Sequence, residues 1–145
     1  GCRFCMAGCP FGARSFNFVD PRKYLSDPVP NPAYPTRMIG VVEKCTFCHH
    51  RWMKAKDKAI AEGRNPYELA DGEYVTSCTE VCPNGAISFG DSKNPEHKVY
   101  ELIRSPHAFR LLERLGTDPQ VYYLSKREWV RRQGDNYLEN EKTKG

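Results

Sequence analysis

The sequence predicts an α+β fold made of short strands and cysteine knuckles, with a helical insertion and a helical C-terminal extension. Three observations lead to this prediction. A unit beginning Cys-Pro occurs twice, at residues 9–16 and 82–89, with six of eight positions identical. The segment between the cysteines at 48 and 78 has apolar residues at helical spacing, and no cysteine follows position 82.

Length and composition limit the possibilities. The 145 residues allow one domain of ordinary size, and the 39% hydrophobic content predicts a modest core. The count of seven cysteines is odd, so a complete disulfide framework within the chain is excluded. The net charge of +4 is mild and comes from mixed clusters, so we expect no nucleic-acid partner. No apolar stretch approaches the length needed to span a bilayer.

The first third should contain two strands joined by a loop. Residues 1–13 read as a cysteine knuckle with a short helical turn, and residues 14–19 as a strand. Prolines occur throughout residues 20–35, which predicts a loop because proline has no backbone N–H to donate to a β-sheet hydrogen bond. Residues 36–43 are predicted as a second strand that leads into Cys45.

The remainder should be mainly helical. We predict an amphipathic helix over residues 51–62 that ends at Gly63, turns at 65–72, and a short strand at 86–89. Asn94-Pro95 should begin a helix through residue 104, and Ser105-Pro106 another that Gly116 closes. Residues 121–124 are expected to form an edge strand and 131–145 a polar arm. The predicted domains are 1–90, with an insertion at about 49–77, and a helical extension at 91–145.

The cysteine spacing indicates iron–sulfur clusters. The bacterial ferredoxin run is C-x2-C-x2-C-x3-C-P, in which the fourth cysteine serves the other cluster. One set here matches its last three cysteines, and a second set matches all four, with 29 residues inserted before the third. We therefore predict a ferredoxin-like domain in which seven cysteines are the metal and cofactor ligands: Cys2, Cys5, Cys9, Cys45, Cys48, Cys78 and Cys82.

Cys2 lies at the start of the sequence, and the missing first cysteine of its set would fall just before Gly1. We therefore expect the chain to be the C-terminal part of a longer protein. The repeated residues also have physical roles. Backbone N–H groups between paired cysteines can donate to cluster sulfurs, proline turns the chain away, and glycine permits close approach or positive φ. The phenylalanine that ends each unit is expected to cover the cluster from water.

Zinc is the main alternative to iron–sulfur. The two C-x2-C pairs, at 2–5 and 45–48, could form a four-cysteine zinc ribbon, but Cys9, Cys78 and Cys82 would then have no role. Disulfides would require three paired spacings to imitate a ferredoxin by accident.

The remaining polar residues have ordinary interpretations. His49 and His50 follow a complete quartet, so we expect them to be solvated or hydrogen-bonded rather than ligands. Arg3, Arg14 and Lys44 flank cysteines and either raise a cluster potential or are surface charges. No arrangement of catalytic residues stands out, so none is predicted.

Residues 1–17, 42–48 and 78–83 resemble the four-cluster iron–sulfur subunits of molybdopterin-type oxidoreductase complexes. They are similar to the electron-transfer subunits of dimethyl sulfoxide, polysulfide and formate-linked nitrite reductases, and the resemblance covers about residues 1–90. The insertion and residues 111–124 are most similar to a branch that holds the menaquinone reductase of sulfate reducers and alternative complex III. In alternative complex III a three-iron cluster can occur where the equivalent of Cys2 is replaced; its presence here favours four irons.

The resemblance implies which cysteines share a cluster. The chain alone suggests one ferredoxin unit of two clusters, in which Cys9 and Cys82 each bind the cluster of the other cysteine set. The family instead pairs its third cysteine group with its second and its fourth with its first, and both missing groups would lie upstream. Four [4Fe–4S] clusters in the complete chain are then expected. Cys2 and Cys5 would belong to one and Cys9 to its partner; a third would take Cys45, Cys48 and Cys78, and a fourth Cys82.

The function that follows is electron transfer without bond chemistry on a substrate. The resemblance implies a quinone-reactive integral membrane subunit and a molybdopterin-oxidoreductase-like subunit as partners, with a multihaem cytochrome c as a further candidate. It also implies a peripheral position on a bacterial inner-membrane complex, at the periplasmic face. The alternative is a zinc-ribbon binding module without redox activity.

Overall fold

The computed structural model describes residues 1–24 and 36–135. Most of the predicted proline-rich loop, residues 25–35, and the end of the predicted arm, residues 136–145, lie outside the described residues. The chain divides into two compact units, Gly1–Tyr67 and Glu68–Gly145. The predicted functional boundary at residue 90 stays a prediction.

The first unit contains a two-stranded antiparallel sheet and one long helix. Its elements are α1 (Phe4–Ala7), β1 (Ser15–Phe16), a 3-10 turn (Pro21–Lys23), β2 (Val42–Glu43) and α2 (His49–Ala61). Ser15 pairs with Glu43 and Phe16 with Val42, so both predicted strands exist but are shorter than expected. This pairing places the end of the first repeat beside the segment that enters Cys45.

Helix α2 confirms the predicted amphipathic helix and begins two residues earlier than expected. Ala55 and Ala59 form its buried face. Its C-terminal end is closed at Gly63, whose N–H donates to Ile60 O at 3.0 Å while the N–H of Arg64 donates to Ala59 O at 2.9 Å. Gly63 has a φ of +70°, so this end is a Schellman motif.

The second unit contains three helices and a small hairpin. Its elements are α3 (Ser77–Glu80), α4 (Lys98–Arg104), β3 (Ala108–Phe109), a 3-10 turn (Glu113–Leu115), β4 (Tyr123–Leu124) and α5 (Glu128–Asp135). Ala108 pairs with Leu124 and Phe109 with Tyr123 in antiparallel register, so the expected edge strand near 121–124 is confirmed. Both units together give the predicted α+β class, whereas the ferredoxin-like topology stays a prediction.

The buried His97 joins the loops that precede α4. Its Nδ1 accepts a hydrogen bond from the Asp91 N–H at 3.0 Å, and its Nε2 lies 3.0 Å from Leu69 O. His97 is also the N-cap of α4. The prediction that Asn94 caps this helix is wrong, because its side chain accepts from Glu96 N–H at 3.0 Å and closes a turn before the helix.

The predicted helix from Ser105 to Gly116 is also wrong. Ser105 precedes a proline and is extended, with φ −62° and ψ 144°, and the chain then enters β3. Leu112 has a left-handed φ of +52°, which a helix interior does not tolerate. Beyond β3, the Arg110 guanidinium binds the carboxylates of Glu113 and Asp118, which organises the loop before β4.

Two further expectations need correction. Residues 86–89 do not form a strand. Phe89 instead packs edge-to-face on Tyr74, with ring centroids 4.8 Å apart. The expected arm at 131–145 is helical up to the end of α5 at Asp135. Gly134 permits this helix to pack closely, because a Cβ there would lie 2.5 Å from ring carbons of Phe109. Within residues 1–24 and 36–135, no helix is long and apolar enough to cross a membrane.

Candidate metal centre

All seven predicted ligand cysteines lie in the described part of the chain, and none of them forms a disulfide there. Three are half-buried (Cys9, Cys48 and Cys82) and four are exposed (Cys2, Cys5, Cys45 and Cys78). Five lie in the first unit and two, Cys78 and Cys82, in the second. Accessible thiols without disulfide partners suit a metal group that binds thiolates.

The two copies of the repeat share the same local structure. Each is preceded by a four-residue helix, α1 or α3, that carries a first cysteine, Cys5 or Cys78, at its second position. The second cysteine follows the helix, and its N–H donates to a carbonyl of that helix at 3.4 Å in both copies. The sequence repeat is therefore a structural repeat.

A tight turn follows the second cysteine of each copy. The N–H of Gly12 donates to Cys9 O and that of Gly85 to Cys82 O, each at 3.2 Å. The two glycines have φ values of +59° and +58°, a left-handed conformation that costs an L-residue about 1–2 kcal/mol. The predicted need for glycine at this position is thereby confirmed.

This turn directs backbone N–H groups at the cysteine sulfur, forming what we call the amide cradle (residues 9–13 and 82–87). Ala86 N lies 3.3 Å from Cys82 Sγ. Its N–H, followed by those of Asn84, Ile87 and Gly85, holds the pKa of the Cys82 thiol below its usual range, although partial burial opposes this. The cradle therefore stabilises the thiolate, which is the form that binds metal.

The first cradle acts in the same way on Cys9. The N–H of Ala13, then that of Phe11, lowers the pKa of the Cys9 thiol, with further lowering by the positive charge of Arg14 and the N–H of Gly12. The second copy has Ile87 in place of Arg14. The two cradles thus share three amide donors, and they differ by the additional N–H of Ile87 at Cys82 and by the charge of Arg14 at Cys9.

The C-x2-C pairs have backbone in a conformation that non-glycine residues rarely adopt. Arg3 in the first pair has a φ of +63°, and Phe47 and Cys48 in the second have +51° and +53°. The N–H of Phe47 donates to Cys45 Sγ at 3.4 Å. Such strain is typical of functional sites, and here it directs an amide at a predicted ligand sulfur.

Cys78 has a hydrogen-bond partner that the sequence analysis missed. The hydroxyl oxygen of Thr76 lies 3.1 Å from Cys78 Sγ and 2.8 Å from the hydroxyl of Thr79. Thr76 is 3% exposed. No sequence signal marks this residue, since Thr76 belongs to neither cysteine motif.

Large apolar side chains next to the cysteines are exposed. Phe4 is 80% and Val81 is 73% exposed, and each directly precedes a predicted ligand cysteine. In contrast to Phe4 and Val81, the phenylalanines that end the two repeats pack on other rings. Phe16 packs on Phe18, with ring centroids 4.7 Å apart, and Phe89 packs on Tyr74. The ligand turns therefore present an apolar surface.

Within residues 1–24 and 36–135, no three or more His, Cys, Asp or Glu side chains are grouped closely enough to hold a single metal ion. The residues nevertheless fit an iron–sulfur group, because the ligand atoms are thiol sulfurs, and four of them have a backbone amide or a hydroxyl within hydrogen-bond distance. Which cysteines share a cluster stays a prediction.

No protein-family model matches the chain. The iron–sulfur cluster-binding subunit of menaquinone reductase from Nitratidesulfovibrio vulgaris is 68% identical over 146 residues, covering 100% of this chain and 57% of that protein. Iron–sulfur subunit 1 of the Hdr-like menaquinol oxidoreductase from Archaeoglobus fulgidus is 42% identical, covering 85% of this chain and 42% of its own length. The arsenate respiratory reductase iron–sulfur subunit ArrB from Shewanella sp. is 30% identical, covering 86% and 58% respectively.

These relatives define a class of iron–sulfur subunits of oxidoreductases. The chain belongs to this family, and the resemblance to the menaquinone reductase branch is confirmed. The chain spans about half the length of the curated relatives that it matches.

Proposed function

We propose that the chain is an electron-transfer subunit whose cysteines hold [4Fe–4S] clusters and relay electrons within a membrane-bound respiratory oxidoreductase complex. The observation that carries this proposal is the pair of amide cradles, in which the same backbone turn directs N–H groups at Cys9 and Cys82. Donors aimed at ligand sulfurs stabilise the additional negative charge of a reduced cluster. The cradle is therefore suited to a redox group.

Each part of the site has a distinct task. The seven thiolates hold the irons, and when bound the clusters accept and release single electrons. The amides of the cradles lower the pKa of the Cys9 and Cys82 thiols and limit the cost of adding an electron. The exposed Phe4 and Val81 exclude water from the ligand turns once a cluster or another protein segment covers them.

The ligand assignment that we propose is the one found in the family. Cys2 and Cys5 serve one cluster and Cys9 its partner. A third cluster takes Cys45, Cys48 and Cys78, and a fourth takes Cys82. The simpler alternative is an arrangement in which two clusters exchange Cys9 and Cys82 within this chain.

The proposed link to a quinone follows from the relatives' names, which include menaquinone reductase and menaquinol oxidoreductase subunits, and the other partners follow from the family resemblance. We place the chain as a peripheral subunit at the periplasmic face, against a quinone-reactive integral membrane subunit. A molybdopterin-oxidoreductase-like subunit and a multihaem cytochrome c are further proposed partners. Helix α2 offers a docking surface, because Met53 and Ile60 are 39% and 58% exposed and lie seven residues apart on the helix.

A zinc-ribbon module is the second candidate. It is favoured by one observation, namely that both C-x2-C pairs lie in the same compact unit. It gives no role to the cradle of Cys82 or to the thiol of Cys78.

Metal and sulfide analysis of the native protein, purified without oxygen, distinguishes the two candidates. We expect a brown protein with iron and acid-labile sulfide in equal amounts and a visible absorbance that bleaches on reduction. Cys82→Ser should lower the iron content, whereas His107→Gln, an exposed residue remote in sequence from every cysteine, should not. A colourless protein with zinc and no sulfide would establish the zinc-ribbon module instead.

A further inference from the structure

The hydroxyl of Thr76 has an environment that differs from those of the other groups near the cysteines. It is a side-chain donor rather than a backbone amide, and it lies 3.1 Å from Cys78 Sγ. With 3% of Thr76 exposed, water has little access to compete for this contact. The hydroxyl of Thr79, at 2.8 Å, completes a row of two hydroxyls leading to one sulfur.

Binding of Cys78 to iron determines the direction of the two hydrogen bonds in this row. Each threonine hydroxyl has a single proton to donate. A thiolate bound to iron has no proton, so Cys78 Sγ can only accept. Thr76 must then donate to the sulfur, and Thr79 must donate to the Thr76 oxygen. The two hydrogen bonds therefore point the same way, toward the ligand, and each polarises the next.

We propose that Thr76 is a positioning residue that donates a hydrogen bond to the ligand sulfur of Cys78 and raises the reduction potential of the cluster held there, with Thr79 reinforcing it. This inference rests on the proposed iron–sulfur function and deepens it. Reduction adds negative charge to the cluster and its sulfurs, so a fixed donor stabilises the reduced state more than the oxidised state.

The first repeat has no hydroxyl donor at the equivalent position. The residue two positions before Cys5 is Arg3, which has no hydroxyl and whose guanidinium lies 5.3 Å from the centroid of the Phe16 ring. The turns after Cys9 and Cys82 are alike, whereas the approaches to Cys5 and Cys78 are not. The hydroxyl donor therefore distinguishes one cluster of an otherwise repeated arrangement.

The test is an EPR-monitored redox titration of the intact native protein with its clusters. Thr76→Val replaces the hydroxyl by a methyl group of similar size. We expect the midpoint potential of one cluster to fall while the others stay at wild-type values. Thr76→Ser, which keeps the hydroxyl, should restore the potential. The exchangeable-proton coupling of that cluster, measured by ENDOR after transfer to D2O, should also disappear in Thr76→Val.

The matched control is Thr117→Val, the same substitution at an exposed position remote in sequence from the cysteines, which should leave every potential unchanged. Thr79→Val, which removes only the outer donor, should lower the same potential by a smaller amount.

Wild-type potentials in a fully loaded Thr76→Val protein would overturn the inference. If Thr76→Val does not retain its clusters, the potential of the Thr79→Val protein is the test. A wild-type potential in Thr79→Val would also overturn the inference. A wild-type protein without iron and sulfide would instead contradict the proposed function, before any variant is compared.

Discussion

Gly85 provides a sharp test of the amide cradle. Its φ of +58° is strained for any residue with a Cβ, and among the described residues other than its two chain neighbours, no atom lies within 4 Å of a Cβ built there. Gly85→Ala therefore adds backbone strain of about 1–2 kcal/mol without a clash inside the protein. If iron leaves through local opening of the turn, this strain raises the rate of iron loss by a factor of about 5–30.

The assay is the rate at which a strong iron chelator removes iron from the native protein under anaerobic conditions. Gly85→Asn should have a smaller effect, because asparagine tolerates the left-handed conformation better than alanine does. The matched control is Gly63→Ala, which imposes similar strain at the end of α2, where φ is +70° and, again apart from the two chain neighbours, no described atom lies within 4 Å of the added Cβ.

Gly63→Ala should leave the rate of iron loss unchanged, since Gly63 closes a helix end and does not shape a cradle. Equal rates for the wild type and Gly85→Ala would refute the role that we give the turn. A similar increase in both alanine variants would attribute the effect to general destabilisation instead.

Two further predictions concern the first unit. Replacing the exposed Met53 and Ile60 by serine should weaken recovery of the chain with the proposed membrane complex while iron content stays unchanged, whereas Lys54→Ser should affect neither. Normal assembly of the double variant would exclude α2 as the docking surface. The pKa of Asp20 is lowered from 3.8 to about 2 by hydrogen bonds and charge from Arg22, so the pair stabilises its 3-10 turn above pH 3.8 and this contribution is lost as the pH falls toward 2. NMR titration of the cluster-free chain should show the Asp20 pKa return toward its ordinary value in Arg22→Gln, and an unchanged value would contradict the assignment.

The parts of the fold that the sequence predicted are those governed by local chemistry. The repeated turns follow from Cys-Pro-x-Gly, because proline restricts φ and glycine alone adopts positive φ without strain. Helix α2 follows from apolar periodicity and the glycine that ends it. These features depend on neighbours within a few residues, and they occur where the sequence places them.

The parts that were missed depend on contacts that no sequence pattern marks. The sequence predicted β4 but not its partner β3, which has two residues and is too short for an alternating pattern to be visible. The loop between these strands is organised by Arg110, whose carboxylate partners lie three and eight residues further on. The start of α4 depends on His97, which bridges to Leu69 across 28 positions. No local propensity encodes these contacts.

In the candidate site, too, some features could be predicted from the local sequence and others could not. The positive φ of both glycines was predictable from their place in the repeat, whereas the ligand role of the cysteines stays a prediction. Thr76 was not, because its role depends on burial and on the position of its hydroxyl relative to Cys78. The sharing of cysteines among clusters stays a prediction that rests on resemblance, since it depends on the clusters themselves and on the remaining length found in the relatives.

The cysteines are proposed to hold clusters that exchange electrons with a quinone. Rapid freezing of the reduced native complex after mixing with a menaquinone analogue, followed by EPR, tests this proposal most directly. We predict that the cluster signals of the reduced protein are lost upon mixing, and that Cys78→Ser removes or alters one of them while leaving others intact. Cluster signals that persist unchanged with the quinone, or that are indifferent to Cys78→Ser, would contradict it.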